Sequence, residues 1–136
     1  MVIDVRVCTP DRVICTTIAD AVVLPGLTGQ IGVLNGHVAL ISSLDTGLLR
    51  IKLDQKWTPI IVCGGLVEVR KDCVTVLVND VEELFTVDLN EATNELKRAT
   101  AAVENIESIE DPKDRIEALI ELKKALARVE AVNYLT

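Results

Sequence analysis

A change of period at Asp88 constrains this chain more than any other feature. Before it, apolar residues recur at every second position in short runs. After it, Ala92, Leu96, Ala99, Val103 and Ile106 follow at spacings of 4, 3, 4 and 3. Alternation builds one face of a strand, and the 3-and-4 spacing builds one stripe of a helix. The chain is therefore expected to be α+β, with an N-terminal antiparallel β-sandwich or flattened barrel over residues 1–87 and a two-helix antiparallel hairpin over 88–136.

The first part reads as nine strands: VIDVRVC, RVICTTI, DAVVLP, QIGVL, HVALISSL, GLLRIKL, TPIIVC, LVEVRK and VTVLV. They are rich in β-branched residues, and Gly, Pro, Asn or Asp breaks most of the joins. Asn35-Gly36 reads as a hairpin turn, with further reversals at Lys71–Cys73 and Gly64-Gly65. In the second part Asp88, with Glu91 three residues on, has the character of a capping box. Asp111 is an N-cap followed by Pro112 at the first helical position. A second stripe then runs through Ile116, Leu119, Leu122, Leu126, Val129 and Val132. The first helix is lined largely by alanine, so its seam holds little apolar area and the hairpin is expected to be detachable.

Composition excludes several functions. Aromatic residues make up 2% of the chain, so the core must be Val, Leu, Ile and Ala. The net charge of −7 argues against a nucleic-acid partner, which requires a basic face. No run approaches the roughly 20 apolar residues of a membrane span. The N-terminus reads as a strand and not as a signal or transit peptide. Cys8, Cys15, Cys63 and Cys73 have no metal-ligand spacing and are expected to be buried free thiols, with a disulfide or redox switch as the second reading.

Residues Leu24–Leu49 hold five of the seven glycines and the single histidine. His37 has no Ser, Cys or carboxylate in a recognisable catalytic arrangement, so a surface or turn histidine is expected. Gly26, Gly29 and Gly32 continue into a strand, whereas a phosphate loop continues into a helix. Relief of crowding at turns is the better reading. Glu82-Glu83 falls at the junction and reads as a solvated linker. No catalytic set, cofactor site or metal site is expected.

The same stretch, LP-x-x-TGQIGVL-x-x-H-x-x-L-x-x-x-L-D-x-G, resembles the epsilon subunit of F-type ATP synthases. GGLVEV and VTVLVND fit its later strands, and the resemblance spans nearly the whole chain. Leu53–Trp57, Val76–Asp80 and Arg128–Asn133 are similar to the plastid form. Ala39 departs from the pattern, standing where the family commonly has proline. The resemblance implies a rotor subunit that is not itself an enzyme. It would sit at the foot of the central stalk against the gamma subunit and the membrane c-ring, on the stromal side of the chloroplast thylakoid membrane (or on a cyanobacterial thylakoid). It would be peripheral to the membrane through the complex.

Gln30 and Ile31 then lie in the ring-facing loop and His37 in the stretch facing the stalk. The helical hairpin is implied to inhibit ATP hydrolysis. Lys123, Lys124 and Arg128 would approach an acidic segment of the beta subunit in the alpha/beta catalytic head, although Glu117, Glu121 and Glu130 are near enough to neutralise them. Some family members bind ATP through an Ile/Leu-Asp-x-x-Arg-Ala motif; here Glu91 replaces the arginine, and a carboxylate repels phosphate. Without the resemblance, the residues suit a β-sandwich adaptor docking a partner through an amphipathic hairpin. The enzyme alternative is a hydrolase using His37.

Overall fold

The computed structural model describes residues 2–84 and 87–135. The expected strands form as β1 (Ile3–Cys8), β2 (Val13–Ala19), β3 (Ala21–Gly26), β4 (Gly29–Leu34), β5 (Leu40–Leu44), β6 (Gly47–Leu53), β7 (Lys56–Val62), β8 (Gly65–Arg70) and β9 (Cys73–Val78). A tenth, β10 (Val81–Glu83), pairs with β7, so the run read as a solvated linker is part of the sheet. Three residues with two glutamates carry too little alternation to announce a strand; the pairing with Val62, Ile61 and Ile60 makes it one.

All strands join in one sheet, ordered β10-β7-β6-β3-β5-β8-β9-β1-β2, with β4 hydrogen-bonded to β3. Pairing is antiparallel except between β1 and β9, which run parallel. The sheet curls on itself. Its inward side chains, Val5, Val7, Val22, Leu24, Leu49, Val67 and Val76 among them, make one buried aliphatic core. Alternation along β1 is the simplest case: Ile3, Val5 and Val7 are buried while Asp4 and Arg6 face out.

Turn chemistry sets the tight hairpins. Asp54-Gln55 between β6 and β7, and Lys71-Asp72 between β8 and β9, have positive φ at both residues. That is the two-residue turn whose twist matches its strands. Asn35-Gly36 also turns, with the His37 amide donating to the Leu34 carbonyl at 3.1 Å, but it closes no hairpin. β4 pairs with β3, and β5 pairs chiefly with β8. The turn is instead tied elsewhere, by Asn35 Nδ2 to the Val2 carbonyl and by the Gly36 amide to Asp72 Oδ1. Those contacts carry the chain across the barrel end. At Gly26 a Cβ would stand 2.5 Å from the Gly29 carbonyl oxygen, so glycine there permits the tight β3–β4 return.

The helices are α1 (Leu89–Glu104) and α2 (Pro112–Ala131), with short 3-10 turns at Ile106–Ser108 and Val132–Tyr134. Asp88 caps α1 by accepting from the Asn90 and Glu91 amides, and Asp111 caps α2 by accepting from Lys113. The two helices pack on each other, and α2 lies on the outer face of β6 and β7. Ala127 and Ala131 are buried there against Leu48 and Ile61.

The stripe predicted for α2 is only partly the buried one. Ile116, Leu119 and Leu126 are exposed, and the buried residues are Ala125, Ala127 and Ala131. The sheet already supplies the bulk at this seam through Leu48 and Ile61, so a close-packed helix must offer small residues. The cysteines are less buried than expected: Cys8, Cys15 and Cys63 are half-buried and Cys73 is exposed.

Candidate functional site

The curled sheet has two outer faces with different fates. The β6-β7 face carries α2, with α1 packed on α2. The β5-β8-β9-β1-β2 face carries no helix among the described residues and displays Ile41, Leu66, Leu77, Val13 and Ile18. Strand pairing sets Leu66 opposite Leu77, and Leu77 beside Cys8. His37 follows β4 in the extended link to β5, where its Nδ1 donates to the Val38 carbonyl at 2.7 Å. Val38 and Ile41, next to it, are 76% and 72% exposed. These apolar neighbours are residues that sequence reasoning missed, because alternation in an apolar run does not reveal which side remains uncovered.

Gln30 and Ile31 lie on opposite sides of β4. Gln30 is exposed and faces outward with Pro25, its partner on β3. Ile31 is half-buried and packs against the core. Gln30 stands on β4, and His37 follows the Asn35-Gly36 turn that carries the chain off that strand. The two therefore mark different surfaces. Gln30 shares the outer face of the helical pair, and Arg50 Nη2 on β6 reaches its Oε1 at 3.5 Å.

Lys123, Lys124 and Arg128 do not form a free basic face. Arg128 grips Glu82 of β10 with two hydrogen bonds, Nε to Oε2 at 2.7 Å and Nη2 to Oε1 at 2.8 Å. Its Nη1 reaches Glu95 of α1 at 3.2 Å. Lys123 Nζ sits 2.9 Å from both Asp45 carboxylate oxygens in the β5–β6 link. Lys124 pairs with Glu121 at 3.7 Å. Of the acids expected to neutralise this face, Glu121 does so; Glu82, Glu95 and Asp45 come from other elements.

The Arg128 hydrogen bonds hold the Glu82 carboxyl below its usual range, against the opposing effect of burial, and Glu82 in turn raises Arg128. At Cys63, burial raises the thiol, partly offset by the Lys124 charge.

A cavity of about 340 Å³ lies where sheet and helices join, lined in part by Glu82, Asp88, Glu91, Glu95 and Arg128. Four carboxylates line it beside one guanidinium that Glu82 and Glu95 already engage, a poor setting for a phosphate. No cluster of metal-ligating side chains occurs among the described residues, and no described helix is long and apolar enough to cross a membrane.

Residues 2–84 match the family described as ATP synthase, Delta/Epsilon chain, beta-sandwich domain. Over 136 residues, the full length of both chains, the sequence is 67% identical to the chloroplastic ATP synthase epsilon chain of Phaeodactylum tricornutum. It is 65% identical to that of Thalassiosira pseudonana, again over both full lengths. Among solved structures, a chain of the Euglena gracilis mitochondrial ATP synthase (OSCP/F1/c-ring in rotational state 1) is similar in fold. It has a TM-score of 0.77 at 22% identity, covering 96% of this chain and 81% of that one.

Proposed function

Because the chain belongs to the ATP synthase epsilon chain family, we propose that it is a central-stalk subunit of a chloroplast F-type ATP synthase, without catalytic activity of its own. It turns with the gamma subunit and the c-ring and restrains ATP hydrolysis through its helices. The full-length identity to chloroplastic epsilon chains carries this reading. It places the protein on the stromal side of the thylakoid membrane, peripheral through the complex.

Two surfaces suit the two structural partners. The β5-β8-β9-β1-β2 face, with Val38 and Ile41 beside His37, offers apolar area to the gamma subunit. Gln30 on the edge strand β4 offers a polar contact to the c-ring, and Ile31 supports it from beneath. A contact that turns as one body needs shape and polar complementarity and no chemistry.

Residues 1–87 form the coupling domain and 88–136 the regulatory one. The main aliphatic core draws only on strands, which supports that division. In the docked arrangement Lys123 and Arg128 are engaged by Asp45, Glu82 and Glu95. They reach acidic groups on the beta subunit only after leaving those partners, so docking on the sheet and contact with the head exclude each other.

The test compares ATP hydrolysis by a catalytic head lacking this subunit after adding the full chain or a chain ending at Val87. The full chain is expected to inhibit, and the shorter one to join the stalk without inhibiting. Equal inhibition by both would assign regulation to the sandwich.

A further inference from the structure

Arg50, Trp57 and Tyr134 form a cluster that neither the strand pairing nor the ion pairs explain. Arg50 and Trp57 stand on the outer faces of β6 and β7. Tyr134 closes the 3-10 turn that directly follows α2. The Arg50 guanidinium carbon lies 4.7 Å from the Tyr134 ring centroid and 5.5 Å from that of Trp57. The rings meet edge to face, 5.9 Å apart at 70°. Arg50 Nη1 donates to the Tyr134 hydroxyl, and Lys52 Nζ approaches Trp57 at 5.7 Å. These are the chain's single tryptophan and single tyrosine. Arg50 Nε is buried with no hydrogen-bond partner among the described residues, so that edge of the guanidinium has exchanged water for aromatic faces, while Nη2 reaches Gln30 Oε1 at 3.5 Å on the exposed side.

We propose that Tyr134, Arg50 and Trp57 are a clasp that fastens the end of the helical pair to the sheet, a second hold independent of the Arg128 and Lys123 ion pairs. The inference rests on the reading that the helical pair leaves the sheet in a regulatory state. The two holds differ in physics. The ion pairs are partly exposed and weaken as salt rises. Contact between a planar guanidinium and two rings is a packed contact, strengthened by the rings' quadrupoles, and is far less sensitive to salt. Tyr134 also follows directly on the C-terminal turn of α2, so α2 cannot lift from Leu48 and Ile61 as a unit until Tyr134 has left Arg50 and Trp57.

The experiment uses the full chain and reads alkylation of each cysteine by mass spectrometry. Cys63 is half-buried at the end of β7, close to the Lys124 and Glu121 charges of α2, and reports lifting of that helix. Cys73, exposed on β9, is the internal reference. In Tyr134→Ala, Cys63 labelling is expected to rise about fivefold relative to Cys73, the factor corresponding to about 1 kcal/mol of lost cation–π contact.

Tyr134→Phe keeps the ring over Arg50 and should give a smaller rise. In the parent, ~0.5 M salt, where the screening length is on the order of 4 Å, should leave Cys63 largely protected. Cys63 labelling in Tyr134→Ala equal to the parent's overturns the clasp. If labelling rises but inhibition of the catalytic head does not change, the clasp stands and the regulatory reading of the helical pair falls.

Discussion

Replacing Glu82 with glutamine separates two roles that any change at Arg128 would confound. Arg128 is both a hold on the sheet and a proposed contact with the catalytic head, whereas Glu82 belongs only to the hold. One guanidinium meets one carboxylate through two hydrogen bonds, of 2.7 and 2.8 Å, the strong geometry for such a pair. Exposure discounts it: the Glu82 side chain is 38% exposed and that of Arg128 23%. Glutamine also keeps one acceptor for Arg128. The expected loss is therefore about 1 kcal/mol, the upper end for pairs reached by solvent. That shifts the ratio of docked to released helices about fivefold.

In the isolated Glu82→Gln chain, amide hydrogen exchange along α1 and α2 is expected to speed up by a similar factor where it proceeds through undocking. Exchange is the better readout for this variant, because the Glu82 charge also acts on Cys63. Bound to the catalytic head, Glu82→Gln should inhibit ATP hydrolysis more strongly than the parent. Reversing Lys123, Lys124 and Arg128 together to Glu should relieve inhibition, since both the hold and the head contact are then lost. Unchanged exchange would show that the pair does not hold the helices. Faster exchange with weaker inhibition would show that the released state is not the inhibitory one.

Acid should mimic the substitution. The Glu82 carboxyl is depressed below its ordinary 4.5 in the folded chain. Its contribution is thus complete above that value and is lost as pH falls through the lowered one.

Gln30→Lys is expected to lower coupling of ATP synthesis to proton flow in reconstituted vesicles, and, by setting a second cation beside Arg50, to loosen the hold of Arg50 on Tyr134 as well; unchanged coupling would remove β4 from the ring contact. A chain ending at Val87 should keep its strand signal and a cooperative thermal transition by circular dichroism, because the main core contains no helical residue; an unfolded fragment would make the helices part of that core. Leu119→Gln with Leu126→Gln, both on the exposed side of α2, should leave hydrogen exchange of the docked helices within about twofold of the parent, glutamine being nearly as good a helix former, yet weaken inhibition of the head. Full inhibition by that variant would leave the exposed stripe without a part in regulation.

What the sequence made legible is what local chemistry decides. Strand alternation along β1, the caps at Asp88 and Asp111, and the turn at Lys71-Asp72 each depend on a few neighbouring residues. The errors share a different cause. Asn35-Gly36 does turn, but whether a turn closes a hairpin depends on which strands pair, and β5 finds β8. Glu82 looks like a linker residue until Arg128, 46 positions later, is placed beside it. Asp45 and Lys123 are 78 positions apart, and Arg50 and Tyr134 are 84 apart. No spacing rule spans such distances, and in an aromatic-poor chain a lone Trp and a lone Tyr give no sign that they meet.

The misplaced stripe of α2 is the most informative of these differences. Period detection finds the largest apolar residues and assigns them to the chain's own core. Here Ile116, Leu119 and Leu126 point to solvent, while the sheet is met by alanine. A helix meant to stay on this sheet would gain by turning its leucines toward it, since each fully buried leucine contributes about 1.5–3 kcal/mol over an exposed one. Leu48 and Ile61 leave room only for a small-residue seam, so the docked state forgoes that gain. The remaining hold is a set of solvent-screened ion pairs and the contacts of the chain end. A docked state assembled from contributions of about 1 kcal/mol each lies within a few kcal/mol of release. Its outward leucines then remain available to any surface the released helix meets. The same residues that make the hairpin look poorly packed in the docked state are those a reversible regulator requires.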